Sequence, residues 1–264
     1  MSSVKIKFYG TRGSYPSYGE DHRVFGGNTT CLVLSFDGKK IMVDAGSGAA
    51  EAICDLEGES SLDLLFSHLH FDHVGGMMSL IPAFAGRKLN VYGKARSGVS
   101  VSGAVDRIMT VPLWPVSQEM FGCVEYFDLP ESLTIGGVKI DTMESNHPGG
   151  ATVFRFTYGG KSVVTAFDFN HIDGYGEKLI AFARGCDVLI YDGAMSESEF
   201  KIHSTWGHST AKTGAEIARA CGCRLIVTHH GPTATDAELL ASEKETRAAY
   251  KNSVFAKDGM TVEL

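Results

Sequence analysis

Nowhere in these 264 residues do 18 apolar residues run together without a charge, so the sequence offers no membrane-spanning helix. The opening residues Met1-Ser2-Ser3-Val4-Lys5 lack the long apolar core of a secretory signal, and a cytoplasmic protein is the expectation. No linker interrupts the chain, which reads as one domain over residues 1–264, and 44% hydrophobic content can fill a sizeable core. Basic residues are in deficit: 24 Lys and Arg stand against 31 Asp and Glu, a formal charge of -7. Phosphate backbones are bound mainly through Lys and Arg clusters, so this balance argues against nucleic acid as a partner. Missing too is any disulfide-like or zinc-ribbon-like framework, because the six cysteines at 31, 54, 123, 186, 221 and 223 are scattered through apolar segments. Most are expected to be reduced core residues. Cys221-Gly222-Cys223 has no second pair beside it and flanks the end of a helix, which favours packing over metal or redox chemistry.

What the chain does have is Ser67-His68-Leu69-His70-Phe71-Asp72-His73, directly after the apolar run Leu62-Asp63-Leu64-Leu65-Phe66. A buried strand delivers three imidazoles and a carboxylate to its carboxyl end, a donor set that suits zinc or manganese. His68 and His70 alternate and point the same way from an extended segment, whereas adjacent Asp72 and His73 point apart. Two neighbouring metals would be served.

The rest of the chain supplies further ligand-capable residues at strand ends. Residues 4–8 alternate like an exposed-edge strand and run into Gly10-Thr11-Arg12-Gly13-Ser14, a glycine-hinged loop. With the polar stretch to Asn28, this loop can form a wall of the site. Arg12 is expected to meet a substrate anion, an ion pair with an acidic neighbour being the alternative. Residues 29–36 and 39–43 read as a hairpin across Asp37-Gly38. Asp44 follows beside Gly46 and Gly48, better placed to brace the histidine loop through hydrogen bonds than to bind metal. A helix over 49–56, another after His73, a strand over 89–92 and a helix over 96–109 come next. The proline-stiffened stretch Val111-Pro112-Leu113-Trp114-Pro115-Val116 is either a rigid wall over the substrate or a packed satellite. Strands are expected over 124–127, 133–135, 138–143, 152–158 and 161–166, with Gly136-Gly137 and Gly159-Gly160 as turns. His147 and Asp168 interrupt this meander. A helix over 175–184 and a strand over 187–191 lead to Trp206-Gly207-His208-Ser209-Thr210. There Ser209 or Thr210 caps a helix over 211–221 whose free amides can hold an anion. A strand over 224–228 ends at His229-His230, and Thr235-Asp236-Ala237-Glu238 has the capping-box spacing that opens a last helix. The pattern predicts an α/β fold of two packed sheets with helices outside, a four-layer αββα sandwich.

Asp44-Ala45-Gly46, His68-x-His70-x-Asp72-His73, His147, Asp168, Gly207-His208-Ser209-Thr210 and His229 occur in this order, several of them directly after strands. In this the chain resembles the metallo-β-lactamase-fold hydrolases, specifically their phosphodiesterase branch, over almost its whole length. The resemblance implies two divalent ions, zinc ahead of manganese. His68, His70 and His147 would hold one ion, Asp72, His73 and His229 the other, and Asp168 would bridge them. His229 is preferred over His230 as the histidine directly after the strand. Two ions about 3.5 to 4 Å apart generate hydroxide near neutral pH and stabilise the attacking and leaving oxygens of an in-line displacement. Asp72 thus counts among the catalytic groups as well as the ligands. His208, outside the seven ligands, is free to bond phosphate oxygens or protonate the leaving alkoxide, a local structural role being its alternative.

The expected activity is cleavage of a small phosphodiester, cyclic and nucleotide-like ones included. Ribonuclease Z relatives place a tRNA-holding arm between the positions of His147 and Asp168, where this sequence has only a hairpin. The spacings look more like those of phosphoribosyl cyclic phosphodiesterases, without the N-terminal cysteine cluster that gives some of those enzymes another zinc. Thioester hydrolysis, as in glyoxalase II, is usually accompanied by a C-terminal extension, and this chain ends soon after His229. From a different class comes a nucleotide-sensing protein that keeps the metals and turns nothing over. Relatives of this kind are often dimers, which leaves a homodimer open.

Overall fold

The computed structural model describes residues 3–264. Its first half comprises β1 (Val4–Gly10), β2 (Cys31–Phe36), β3 (Lys39–Ala45), α1 (Ala49–Asp55), β4 (Ser61–Leu65), α2 (Phe71–Val74), α3 (Met77–Ala83), β5 (Lys88–Gly93), α4 (Val101–Ile108) and β6 (Val124–Asp128). The second half adds β7 (Ser132–Ile135), β8 (Val138–Ser145), β9 (Ala151–Tyr158), β10 (Lys161–Ala166), α5 (Tyr175–Ala183), β11 (Val188–Asp192) and α6 (Glu197–His203). It closes with α7 (Ala211–Cys221), β12 (Arg224–Thr228), α8 (Asp236–Ala249), β13 (Ser253–Phe255) and β14 (Thr261–Glu263).

The strands form two seven-stranded sheets, ordered β14-β1-β2-β3-β4-β5-β6 and β13-β12-β11-β10-β9-β8-β7. Period-two alternation makes each strand serve two layers. In β2, Leu32, Leu34 and Phe36 face the opposite sheet, where Phe154, Phe156 and Ile190 meet them. Cys31 and Val33 point the other way, into an outer layer that holds Ala52 of α1, Leu80 of α3 and Val105 of α4. On the far side Val164, Leu189 and Leu225 pack beneath Leu179 of α5, Ala218 of α7 and Leu239 of α8. The order is helix, sheet, sheet, helix: the four-layer αββα sandwich that the sequence pattern implied.

Within each sheet the strands that lead to the site run parallel. β3 pairs with β4, β10 with β11 and β11 with β12 in that sense, so their carboxyl ends lie side by side. Open α/β sheets place ligands at this edge because the loops leaving it converge there.

Some local expectations need correction. β1 is not an edge strand, because β14 pairs with it through Ile6 and Val262. The two closing strands are three residues each, too short for alternation to register. α4 starts at Val101, five residues later than its pattern suggested, with Ser100 as its cap; Arg96 and Val99 instead form an antiparallel bridge. α6, with a capping box of Ser196 and Glu199, was not anticipated. Thr235 and Glu238 do form the capping box of α8. All six cysteines are free thiols, five of them buried, with Cys54 exposed. Among the described residues no helix is long and apolar enough to cross a membrane.

Candidate metal centre

β4 ends at Leu65, and the following turn brings His68 and His70 ahead of the short helix α2, which carries Asp72 and His73. From the second sheet come His147 after β8, Asp168 after β10 and His229 after β12. Asp44, Asp168 and His229 hold left-handed backbone angles, φ 57°, 50° and 57°. That conformation costs a non-glycine residue about 1–2 kcal/mol and persists where the surroundings enforce it, a pattern that clusters at functional sites.

Asp168, His208 and His229 present ligand atoms within 4.8 Å of one another, and the seven residues form two further groups at that spacing: His68, His70, His147 and Asp168, and Asp72, His73 and His229. Asp168 lies between them. Its Oδ1 is 3.8 Å from His68 Nε2 and 3.6 Å from His147 Nε2, while its Oδ2 is 3.0 Å from His73 Nε2 and 3.1 Å from His229 Nε2. The seven residues singled out in the sequence converge on one place.

Most of these side chains are held from behind. Asp44 accepts hydrogen bonds from the Ser67 N–H and hydroxyl, each at 2.7 Å, and from His73 Nδ1 at 2.8 Å. It therefore braces the histidine loop. The Ser67 oxygen lies 3.1 Å from His68 Nδ1, and His147 Nδ1 donates to the Gly207 carbonyl at 3.0 Å. The Ser14 N–H donates to Asp72 Oδ2 at 2.7 Å, which brings the first glycine-hinged loop to the site as its wall. A Cβ on Gly13 would sit 2.3 Å from His229 Cε1, and one on Gly207 2.5 Å from His147 Nδ1. Both imidazoles rest directly on backbone, which only glycine permits.

The electrostatics divide the histidines. Burial pushes His68 well down and lowers His70 and His147, so these three are neutral with nitrogen lone pairs available. Burial also opposes charge on His73 and His229, but Asp168 and Asp72 outweigh it and raise both, His229 to about 10. Desolvation works against the Asp72 and Asp168 carboxylates, yet the surrounding histidines hold both well below the usual range. Among the described residues, buried Asp168 Oδ2 and His68 Nε2 have no hydrogen-bond partner; the approach of His73 and His229 to the former is close but not aligned as a hydrogen bond. Ring nitrogens also face one another, His147 Nε2 and His70 Nδ1 at 3.1 Å, His73 Nε2 and His229 Nε2 at 3.3 Å. Buried polar atoms left this way cost about 1–3 kcal/mol each. Imidazole nitrogens and carboxylate oxygens aimed at a shared space suit divalent ions such as zinc or manganese, so the residues fit two metals.

Four other expectations are decided by position. Arg12 is fully buried and donates to the carbonyls of Gly26, Gly231 and Ala234 at 2.9, 3.0 and 2.7 Å. It neither reaches a substrate nor pairs with a carboxylate; it ties the first loop to the one after β12. His230 points away from the donors, with Nε2 2.9 Å from the Ala256 carbonyl and its ring stacked on Phe255, and burial lowers it to about 3. Thr210, not Ser209, caps α7, since its side chain accepts from the Thr213 N–H. Ser209 instead meets Tyr191 and His171. Trp114 packs onto the outer helical layer while Val111 and Leu113 before it are exposed, which makes its stretch the satellite rather than a wall.

One residue escaped the sequence reading. Asp192, at the end of β11, has Oδ2 2.9 Å from His208 Nδ1. It is also anchored by the N–H groups of Phe169 and Ala194. Like Asp44 and Asp168 it closes a buried strand and precedes a turn, and that shared setting was the available signal. His208 is opposed by burial but raised overall by Asp192.

Fold and centre together define a metallo-β-lactamase-fold hydrolase. The Beta-lactamase superfamily domain matches residues 39–230, and the chain belongs to that family. Ribonuclease Z of Methanopyrus kandleri is 25% identical, the match covering 97% of this chain and 96% of that protein. The metallo-β-lactamase fold protein YhfI from Bacillus subtilis superposes over the whole of both chains with a TM-score of 0.77 and 20% identity. A diphosphatase of the PhnP family superposes with a TM-score of 0.73 and 19% identity, covering 100% of this chain and 98% of its own. The match to ribonuclease Z overturns the expectation, drawn from net charge, that nucleic acid is an unlikely partner. Net charge averages the whole surface, whereas phosphate is met locally, at a centre built for cations.

Proposed function

We propose that this chain is one hydrolase domain that cleaves phosphodiesters at a dinuclear metal centre. His68, His70 and His147 would hold one ion, Asp72, His73 and His229 the other, with Asp168 between them. Bound there, two divalent ions supply Lewis-acid activation of water and neutralise charge on the phosphate. The observation that carries this reading is Asp168, whose two oxygens face the two donor groups separately.

The remaining chemistry belongs to side chains outside the ligands. Asp192 holds His208 through Nδ1, which fixes the tautomer and leaves Nε2 to donate. From there His208 can bond a phosphoryl oxygen and protonate the departing alkoxide. Asp44 aims His73, and the Gly207 carbonyl aims His147, so that each presents Nε2 inward. Zinc is proposed ahead of manganese because five imidazole donors among the seven ligands suit it.

Two substrate classes have support. The PhnP-family neighbour, a diphosphatase, favours a small phosphate compound, and the whole-length match to ribonuclease Z favours RNA. Zinc- and manganese-loaded protein should be assayed on bis-p-nitrophenyl phosphate, cyclic mononucleotides and a short single-stranded RNA. Metal-dependent turnover of at least one is expected. Absence of turnover on all of them, with nucleotide binding retained, would transfer the centre to a sensing role.

A further inference from the structure

A cleft of about 300 Å³ opens beside the centre, with His68 and His70 at its inner end. Its walls are largely apolar, with Phe71 and Val74 from α2 and Val99, Ala104 and Ile108 from the α4 segment among the lining residues. Two arginines also border it: Arg96 is engaged by Glu144 and Thr152 at 2.7 Å each, while Arg107 is exposed. Phe71 is 61% exposed although it adjoins the ligand Asp72, a position that leaves its ring free to pack against a bound group. The volume is about twice that of a cavity of roughly 150 Å³ that holds one benzene, which gives room for an aryl or nucleobase-sized ring system. Sites with apolar walls and few polar groups of this kind select by shape.

Which part of a substrate enters follows from the other side of the centre. His208, the donor to the departing oxygen, does not line the cleft, and neither do Asp72, His73 or His229. We infer that the cleft is a specificity subsite for the ester group that stays on phosphorus, and that it takes a single aryl or nucleobase-sized ring. The inference rests on the phosphodiesterase reading and names the substrate feature which that reading leaves open. Ala104 and Ile108 are its specificity-determining residues.

Two measurements on zinc-loaded protein test it. By titration calorimetry, phenylphosphonate should bind at least tenfold more tightly than methylphosphonate. In turnover, phenyl p-nitrophenyl phosphate should exceed methyl p-nitrophenyl phosphate at least tenfold in kcat/KM, the leaving group being the same. Ala104→Trp, which fills the cleft, should reduce both ratios below threefold; thermal melting and metal content establish that the variant is folded and loaded. Should it fail to fold, Ile108→Ala decides: widening the cleft should shift the preference at least threefold from phenyl toward naphthyl esters. Preserved ratios in folded Ala104→Trp, or no shift in Ile108→Ala, overturn the subsite. Selective phenylphosphonate binding without turnover of any diester would sink the hydrolase reading and leave the subsite standing. Turnover with no aryl preference would do the reverse.

Discussion

His208 Nδ1 lies 2.9 Å from Asp192 Oδ2, and the same carboxylate oxygen accepts the Phe169 N–H at 3.0 Å. The residue after Asp168 and the candidate proton donor are thereby fixed to one carboxylate. The positions of His208 and Asp168 are coupled through Asp192.

This coupling predicts a non-additive pair. His208→Ala should lower kcat by about 10²- to 10⁴-fold, the range of a general acid. Asp192→Asn should lower kcat in the same direction with smaller change in KM, because the imidazole loses its orientation. The double variant should be no slower than His208→Ala, since both act through one ring. Fully additive losses in steady-state kinetics would show that Asp192 acts elsewhere.

Asp168 and His147 should differ in what they do to metal content. Asp168→Ala removes the carboxylate that faces both groups, so both ions should be released or uncoupled. His147→Ala should chiefly weaken one. Metal analysis of the dialysed variants distinguishes the two, and full occupancy of two sites in Asp168→Ala would refute the bridging role.

Asp44 touches no proposed ion, yet it should matter to one of them. Asp44→Ala leaves His73 Nδ1 without its acceptor and removes two bonds from Ser67. Metal affinity at the Asp72, His73 and His229 group should fall by about 10- to 100-fold, and the melting temperature should drop as well. Unchanged zinc affinity in a competition titration against a chelating dye would count against the bracing role.

Arg12 should be a stability residue. Arg12→Ala strands the carbonyls of Gly26, Gly231 and Ala234 and leaves a large void, a loss on the order of 3 kcal/mol or more. Urea unfolding should register this directly. A variant of unchanged stability and tenfold higher KM would restore the substrate-binding expectation.

Much of this molecule was legible in its sequence, for a local reason. Hairpins at Asp37-Gly38, Gly136-Gly137 and Gly159-Gly160, the capping box at Thr235 and the alternation of the longer strands depend on neighbours within a few residues. So does the delivery of His68, His70, Asp72 and His73 by one strand and turn. The three-residue strands β13 and β14 were not legible, because pairing with strands far away in the chain, rather than their own composition, makes them strands.

Residue types and strand-end positions were enough to indicate a sandwich of two sheets and ligand-capable residues at its strand ends, while the set of seven came from the resemblance of the ordered motifs to metallo-β-lactamase-fold hydrolases. Tertiary structure decided the partnerships. Arg12 meets carbonyls 219 and 222 residues away, and no spacing rule reaches that far. Asp192 finds His208 because the connection after β11 folds back on itself, Met195 bridging to Thr210 and donating to the Ser209 carbonyl at 3.1 Å. Side-chain chemistry is written locally, whereas the choice of hydrogen-bond partner for a buried polar group depends on which strand ends the folded sheets bring into contact.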